Sequence, residues 1–317
     1  MNPAPSPASG AAAPALTDLP ISRWVGIALL LVIAVVFGSN HIAARVAFDH
    51  GSNVTTAVAF RSTGTALFVL ALLLFNGISL KIPGRTFAHA VLIGLLIAVQ
   101  SYCLYSAVAL MPVALALLIF QTFPMLLALI SLVFGGERPT RRVLLAMPVA
   151  LLGLALALDA WGKSGAHLSG FAGRWAEVGA GVLWALGASI SFATALYLIT
   201  RWLGSMDGRL RSFLFMSVVA VVTLAGGTLA NSFAPPADGT GWIALALLTV
   251  FYGVAITSMF VLLPRLGAVN NAAVLNFEPI VVLGLAWLVL GQAVAPLQIV
   301  GAFVVVGAIA WMGAGQR

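Results

Sequence analysis

Apolar residues run through this chain in blocks of about 20, separated by short polar punctuation, and blocks of that length are what a helix needs to cross a hydrocarbon core. Ten such spans are predicted. The first five are Trp24–Ala44, Val54–Phe75, Phe87–Leu110, Val113–Phe134 and Val143–Trp161. The second five are Val178–Leu203, Ser212–Asn231, Gly241–Leu263, Ala268–Leu290 and Leu297–Met312. Connections as short as Met111-Pro112 and Arg265 to Gly267 make their neighbours antiparallel hairpins.

The pattern repeats. Phe120-Gln121-Thr122-Phe123-Pro124, followed by Gly136-Glu137, returns 155 positions later as Leu275-Asn276-Phe277-Glu278-Pro279, followed by Gly291-Gln292. Each copy belongs to a run of five spans, and an odd number makes the second copy enter the membrane the other way up. Inverted repeats of this kind are a transporter signature. The expected organisation is a disordered tail over residues 1–20, a first five-helix repeat over 21–162, a connecting loop over 163–177 and a second, inverted repeat over 178–317.

Basic residues set the orientation, because cytoplasmic loops carry the excess of Lys and Arg. One side collects Arg23, Lys81, Arg85, Arg138, Arg141, Arg142, Arg201, Arg209, Arg211, Arg265 and Arg317. The other holds Arg45, Lys163 and Arg174, while Arg61 lies within a span. Both termini are therefore expected in the cytoplasm. Repeat and charge agree: Arg138, Arg141 and Arg142 align with Ala293, Pro296 and Leu297, and Leu110 aligns with Arg265.

Composition adds that 62% of residues are hydrophobic and 7% charged, with a mean hydropathy of +1.12. That leaves too little polar surface for a soluble domain. The net charge of +7 then reflects topology and argues against a nucleic-acid partner; the lipid bilayer is the partner expected. Met1 to Leu19 is rich in Ala and Pro and lacks the basic start of a signal peptide. Cys103, alone, forms no intrachain disulfide.

Met111-Pro112-Val113-Ala114, Pro124, Gly136-Glu137-Arg138-Pro139-Thr140 and Gly153, with Phe37-Gly38-Ser39-Asn40 in span one and Arg61 in span two, form a recognisable combination. Over Trp24 to Met312 the chain resembles the drug/metabolite transporter superfamily in its EamA-type ten-helix branch, and within it the bacterial exporters of aromatic amino acids. The resemblance implies an all-α membrane protein, ten transmembrane helices as two inverted five-helix repeats around a central cavity. Spans five and ten would stand outside as supports. It implies a bacterial inner-membrane exporter of amino acids or similar metabolites. Gln292 replaces the acid of the Gly-Glu pair in the second copy, so any role of Glu137 is confined to one half.

Charged groups inside a span are costly and mark function by default. Glu278, beside Pro279, falls near the midplane, and Arg61 nearer the outer third of span two. Asn271 lies seven residues before Glu278 and shares its helix face. A zwitterionic amino acid would set its amine near Glu278 and its carboxylate near Arg61; a structural ion pair, or an Arg snorkelling to the interface, is the competing reading. Other candidates for the cavity wall are Asn40, His41, Gln100, Tyr102, Tyr105, Gln121, Phe123, Trp184, Ser189, Tyr197, Tyr252 and Thr257. Each ring also fits an interfacial belt. Glu278 and His41 are candidates to carry a proton. Pro124 and Pro279, at matched mid-span positions, are hinge candidates, and Gly181, Gly187, Gly301 and Gly307 are expected to admit close helix contacts.

No HExxH, paired-Asp or Ser-His arrangement supports an intramembrane enzyme, and neither cofactor nor metal is expected. Lys81 and Lys163 fall in loops, which removes a retinal Schiff base. Multidrug efflux is the nearest alternative. A channel is a more distant one, without a visible ring of charge.

Overall fold

The structure, a computed structural model, describes residues 23–134, 141–157, 170–266, 277–292 and 295–313. Among these residues there are eleven helices and no strands. They are α1 (Arg23–Asp49), α2 (Val54–Phe75), α3 (Gly84–Leu110), α4 (Val113–Phe120), α5 (Phe123–Val133) and α6 (Arg141–Ala157). The second half supplies α7 (Gly170–Trp202), α8 (Gly208–Leu229), α9 (Gly239–Leu266), α10 (Glu278–Leu290) and α11 (Pro296–Gly313). Helices answer every backbone donor within the segment, as a lipid environment demands. Seven segments are long and apolar enough to cross a membrane, with α4 and α5 together counted as one; Glu278–Leu290 and Pro296–Ala308 are shorter apolar helices.

Several boundaries differ from expectation for local reasons. Helix α1 runs five residues past Ala44, where Arg45 pairs with Asp49 one turn on at 2.9 Å and also donates to the Val108 carbonyl. The turn that follows needs Gly51 at φ +92°, and Asn53 then caps α2 by accepting from the Thr56 amide at 2.9 Å. Helix α7 starts at Gly170, inside the stretch read as a connecting loop.

The largest departure is in span four, which is broken in two at Gln121 and Thr122. Pro124 is the second residue of α5 and Pro279 the second of α10, and the residues just before have the same backbone: Thr122 at φ −74°, ψ −9° and Phe277 at φ −76°, ψ −12°. A proline there needs no amide hydrogen. Pro124 therefore begins a new helix and does not kink a continuous one, and Pro279 holds the same place at the start of α10.

The packing repeats as the sequence does. Exchanging the two halves maps the contact of α3 with α7 onto that of α9 with α1, and α3 with α8 onto α9 with α2. Contacts of α2 with α8 and of α6 with α11 map onto themselves. Outward faces are apolar, with Leu67, Val221 and Trp287 each more than half exposed, while Asn40, Arg61 and Ser189 are inside. That inverts the soluble pattern and suits lipid.

Helices α6 and α11 cross so closely that a Cβ on Gly301 would stand 2.6 Å from the Gly153 carbonyl oxygen and closer still to the Ala157 amide. Gly181 is equally tight, against Met111, but Gly187 has ordinary contact distances and Gly307 faces open space, so the close-contact expectation fails for these two. Gly301→Val must push two backbones apart, and overpacking of this kind costs about 1–3 kcal/mol. A lowered thermal midpoint of the purified protein is expected, with Gly307→Val as the neutral control.

On one face of the bundle the two halves are strapped together. His50 Nδ1 lies 2.7 Å from Asp238 Oδ2, the Ala237 amide donates to the His50 carbonyl at 2.9 Å, and the Ala234 amide donates to Thr56 Oγ1. The Gly241 amide, and after it His50, hold the Asp238 carboxyl below the usual range.

Candidate functional site

Helix α2 carries Arg61 into the interior, where 3% of it is exposed. Its guanidinium lies between two rings, 4.9 Å from the centre of Tyr105 and 4.0 Å from that of Tyr252. One guanidinium nitrogen, Nη2, donates to Ser101 Oγ at 2.9 Å, while Nε has no partner among the described residues. No carboxylate pairs with Arg61 among the described residues. The side chain does not snorkel. It is a buried cation held by ring faces, an arrangement that gains strength away from water.

Tyr105 extends the cluster. Its hydroxyl donates to Asn40 Oδ1 at 3.1 Å, its ring packs edge-on against Phe48, and the His41 ring centre lies 6.0 Å away. Tyr252 packs edge-on against Phe37. On the far side of His41, Nε2 stands 3.3 Å from Glu278 Oε1. Glu278 is the first residue of α10, an end where the aligned peptide dipoles favour an anion. Asn40 Nδ2 and His41 Nδ1 are buried without partners among the described residues. One connected set thus joins α1, α2 and α3 of the first half to α9 and α10 of the second.

Glu278 and Arg61 belong to this set, yet Glu278 meets His41 and not Arg61. Asn40, His41, Tyr105 and Tyr252 join them; Gln100 touches the edge, with Oε1 3.4 Å from Ser101 Oγ. Thr257, five residues after Tyr252 on α9, has a buried hydroxyl without a partner among the described residues. Asn271 lies outside the described residues. Ser101 is the member the sequence reading missed. Its spacing of four from Tyr105 puts both on one face of α3, and that was the available signal.

The remaining candidates fall in three other places. Gln121 ends α4, and Ser189 of α7 sits at the break, its hydroxyl 3.1 Å from the Ile119 carbonyl and 3.0 Å from that of Phe120. Carbonyls freed by a broken helix need such a donor. Phe123, Phe120 and Phe192 pack together around this break, ring centres 4.9–5.5 Å apart. Tyr102 and Trp184 face each other at 6.1 Å along a lateral groove of about 470 Å³ between α3, α7 and α8. Tyr197 is remote from the cluster, donating to the Phe134 carbonyl and accepting from Arg201. Two further lateral grooves, of about 330 and 600 Å³, are apolar, and none of the three includes Arg61, His41 or Glu278.

Residues 24–158, and again residues 179–314, match the family described as the EamA-like transporter family. A solved structure titled only "Crystal structure of protein" is 20% identical, with 93% of this chain and 98% of that chain covered and a TM-score of 0.61. At that identity the likeness speaks for the fold alone. No curated protein matches the chain.

Proposed function

The chain belongs to the EamA-like transporter family, whose members move small molecules across membranes, and we propose that it exports amino acids, chiefly aromatic and other hydrophobic ones. The proposed setting is the bacterial inner membrane, with ten spans, both termini cytoplasmic and the two halves rocking about a site between them. The observation that carries the reading is Arg61: a cation 3% exposed, set between Tyr105 and Tyr252 where the two repeats meet, without a carboxylate partner among the described residues. A substrate carboxylate supplies the missing counter-charge, and the surrounding rings suit an apolar side chain.

The test is export of labelled phenylalanine, threonine and an ethidium-type cation from proteoliposomes. Saturable amino-acid flux without cation flux is the expected result. Cation flux alone would move the chain to multidrug efflux and leave Arg61 without a carboxylate to bind.

A further inference from the structure

The two halves of this protein serve as controls for each other. At the offset of 155 residues, Asn40 corresponds to Ala195, His41 to Leu196, Ser101 to Ile256 and Tyr105 to Phe260, while α2 and α8, which start at residues 54 and 208, pair Arg61 with Phe215. In the opposite direction Tyr252 corresponds to Ile97 and Glu278 to Phe123. The 155 register is kept where α3 and α9 start at residues 84 and 239 and α6 and α11 at 141 and 296. Every polar member of the cluster therefore has an apolar counterpart at the matching place in the same fold. The architecture does not need these polar groups, and burying them is costly.

Arg61 is absorbed by the proposed carboxylate site, but His41 and Glu278 are not. Their counterparts Leu196 and Phe123 show that neither group is required to pack α1 or to start a half-helix. His41 is 6% exposed, Nε2 faces the Glu278 carboxylate at 3.3 Å, and Nδ1 has no partner among the described residues. Arg23 on α1, Arg85, His89, Tyr102 and Cys103 on α3 and Arg265 on α9 lie elsewhere along their helices, so the charged and titratable groups near the pair are few. Helix α2 offers Arg61, and α3 offers Tyr105, whose ring centre is 6.0 Å from that of His41. Helix α9 offers Tyr252, stacked on Arg61. Arg45 and Asp49, further along α1, are engaged with each other. The described parts of α4 and α11 carry no charged residue.

We propose that His41 and Glu278 together form a proton-binding site that couples proton entry to substrate export; the coupling, though not the site, rests on the reading of this chain as an amino-acid exporter. One proton enters from the outer aqueous phase, lodges between His41 Nε2 and Glu278 Oε1, and leaves to the cytoplasmic side after the halves rock. No bond other than that of the proton forms or breaks.

Two measurements on the full-length protein test this. The first is a pH-difference infrared titration, which follows carboxyl and imidazole bands and needs no substrate. The wild type is expected to show one proton step shared by the carboxyl and imidazole bands that is lost in Glu278→Gln and shifted in His41→Gln. The second compares, in proteoliposomes, phenylalanine accumulation driven by a pH gradient with phenylalanine counterflow in its absence. Accumulation is expected to fall at least about tenfold further than counterflow in both variants, a change of about 1.4 kcal/mol or more. Absence of the proton step, or equal losses in accumulation and counterflow, would overturn the proposal. A proton step with no amino-acid counterflow in the wild type would leave the proton site standing and reject the substrate.

Discussion

Arg61→Met is expected to abolish phenylalanine export, by about 100-fold or more, while leaving the thermal midpoint of the purified protein unchanged or higher. Loss of a charge-assisted, bidentate contact to a desolvated carboxylate is worth about 3 kcal/mol or more when the partner is left buried, which sets that scale. The stability half of the prediction comes from the repeat. Phe215 occupies the equivalent place in α8, so this fold already accommodates an apolar side chain there. Removing a buried cation that no carboxylate among the described residues neutralises also removes its desolvation cost, which offsets the lost stacking on Tyr105 and Tyr252. Arg61→Lys is expected to fail in transport as well, because an ammonium lacks the planar fork that both stacks on rings and grips a carboxylate. Export within about threefold of wild type in Arg61→Met would remove the carboxylate site. Unfolding of that variant would assign Arg61 a structural role.

Span existence was legible because the hydrocarbon core imposes a length that composition alone reveals. The repeat was legible because the register survives without a gap from α3 to α11. The helix break was not. A proline in the middle of an apolar run reads as a kink, and nothing in Phe120-Gln121-Thr122-Phe123-Pro124 distinguishes a bent helix from two helices. Ser189, 67 residues from Thr122, stands at the break and reaches the Phe120 carbonyl, which Pro124 leaves without an amide donor.

The site was legible as a list but not as a constellation. Asn40, His41, Arg61, Tyr105, Tyr252 and Glu278 were all identifiable as polar or aromatic groups within predicted spans, with an interfacial place the competing reading for Arg61 and for each ring. Which of them meet depends on contacts of α1 with α9 and α10 and of α2 with α3 and α9, and no periodicity within one helix encodes these. Hence sequence spacing joined Glu278 to Asn271, whereas the fold joins it to His41. Tyr102 differs from Tyr105 by three positions, yet it faces the lateral groove with Trp184 while Tyr105 is 1% exposed. Depth in the sequence-predicted span was similar for both; the side of the helix decided.

Glu278→Gln is expected to reduce net export against a pH gradient by more than about tenfold, and Glu137→Gln by less than about twofold, at matched expression. The two acids follow the same repeat motif at different depths. Glu137 belongs to the loop predicted after span four, where water solvates either protonation state and the substitution changes little. Glu278 opens α10 within an apolar stretch, 3.3 Å from a buried imidazole. Glutamine has nearly the same shape and still tolerates the positive end of the helix, but it holds no exchangeable proton and does not counter the charge on a protonated His41. Packing is thus preserved and the chemistry removed, as a decisive variant requires. Equal effects of the two substitutions would show that depth and the His41 contact do not matter. A loss confined to Glu278→Gln would show that a single acid, present in one repeat and replaced by Phe123 in the other, makes two otherwise matching halves unequal.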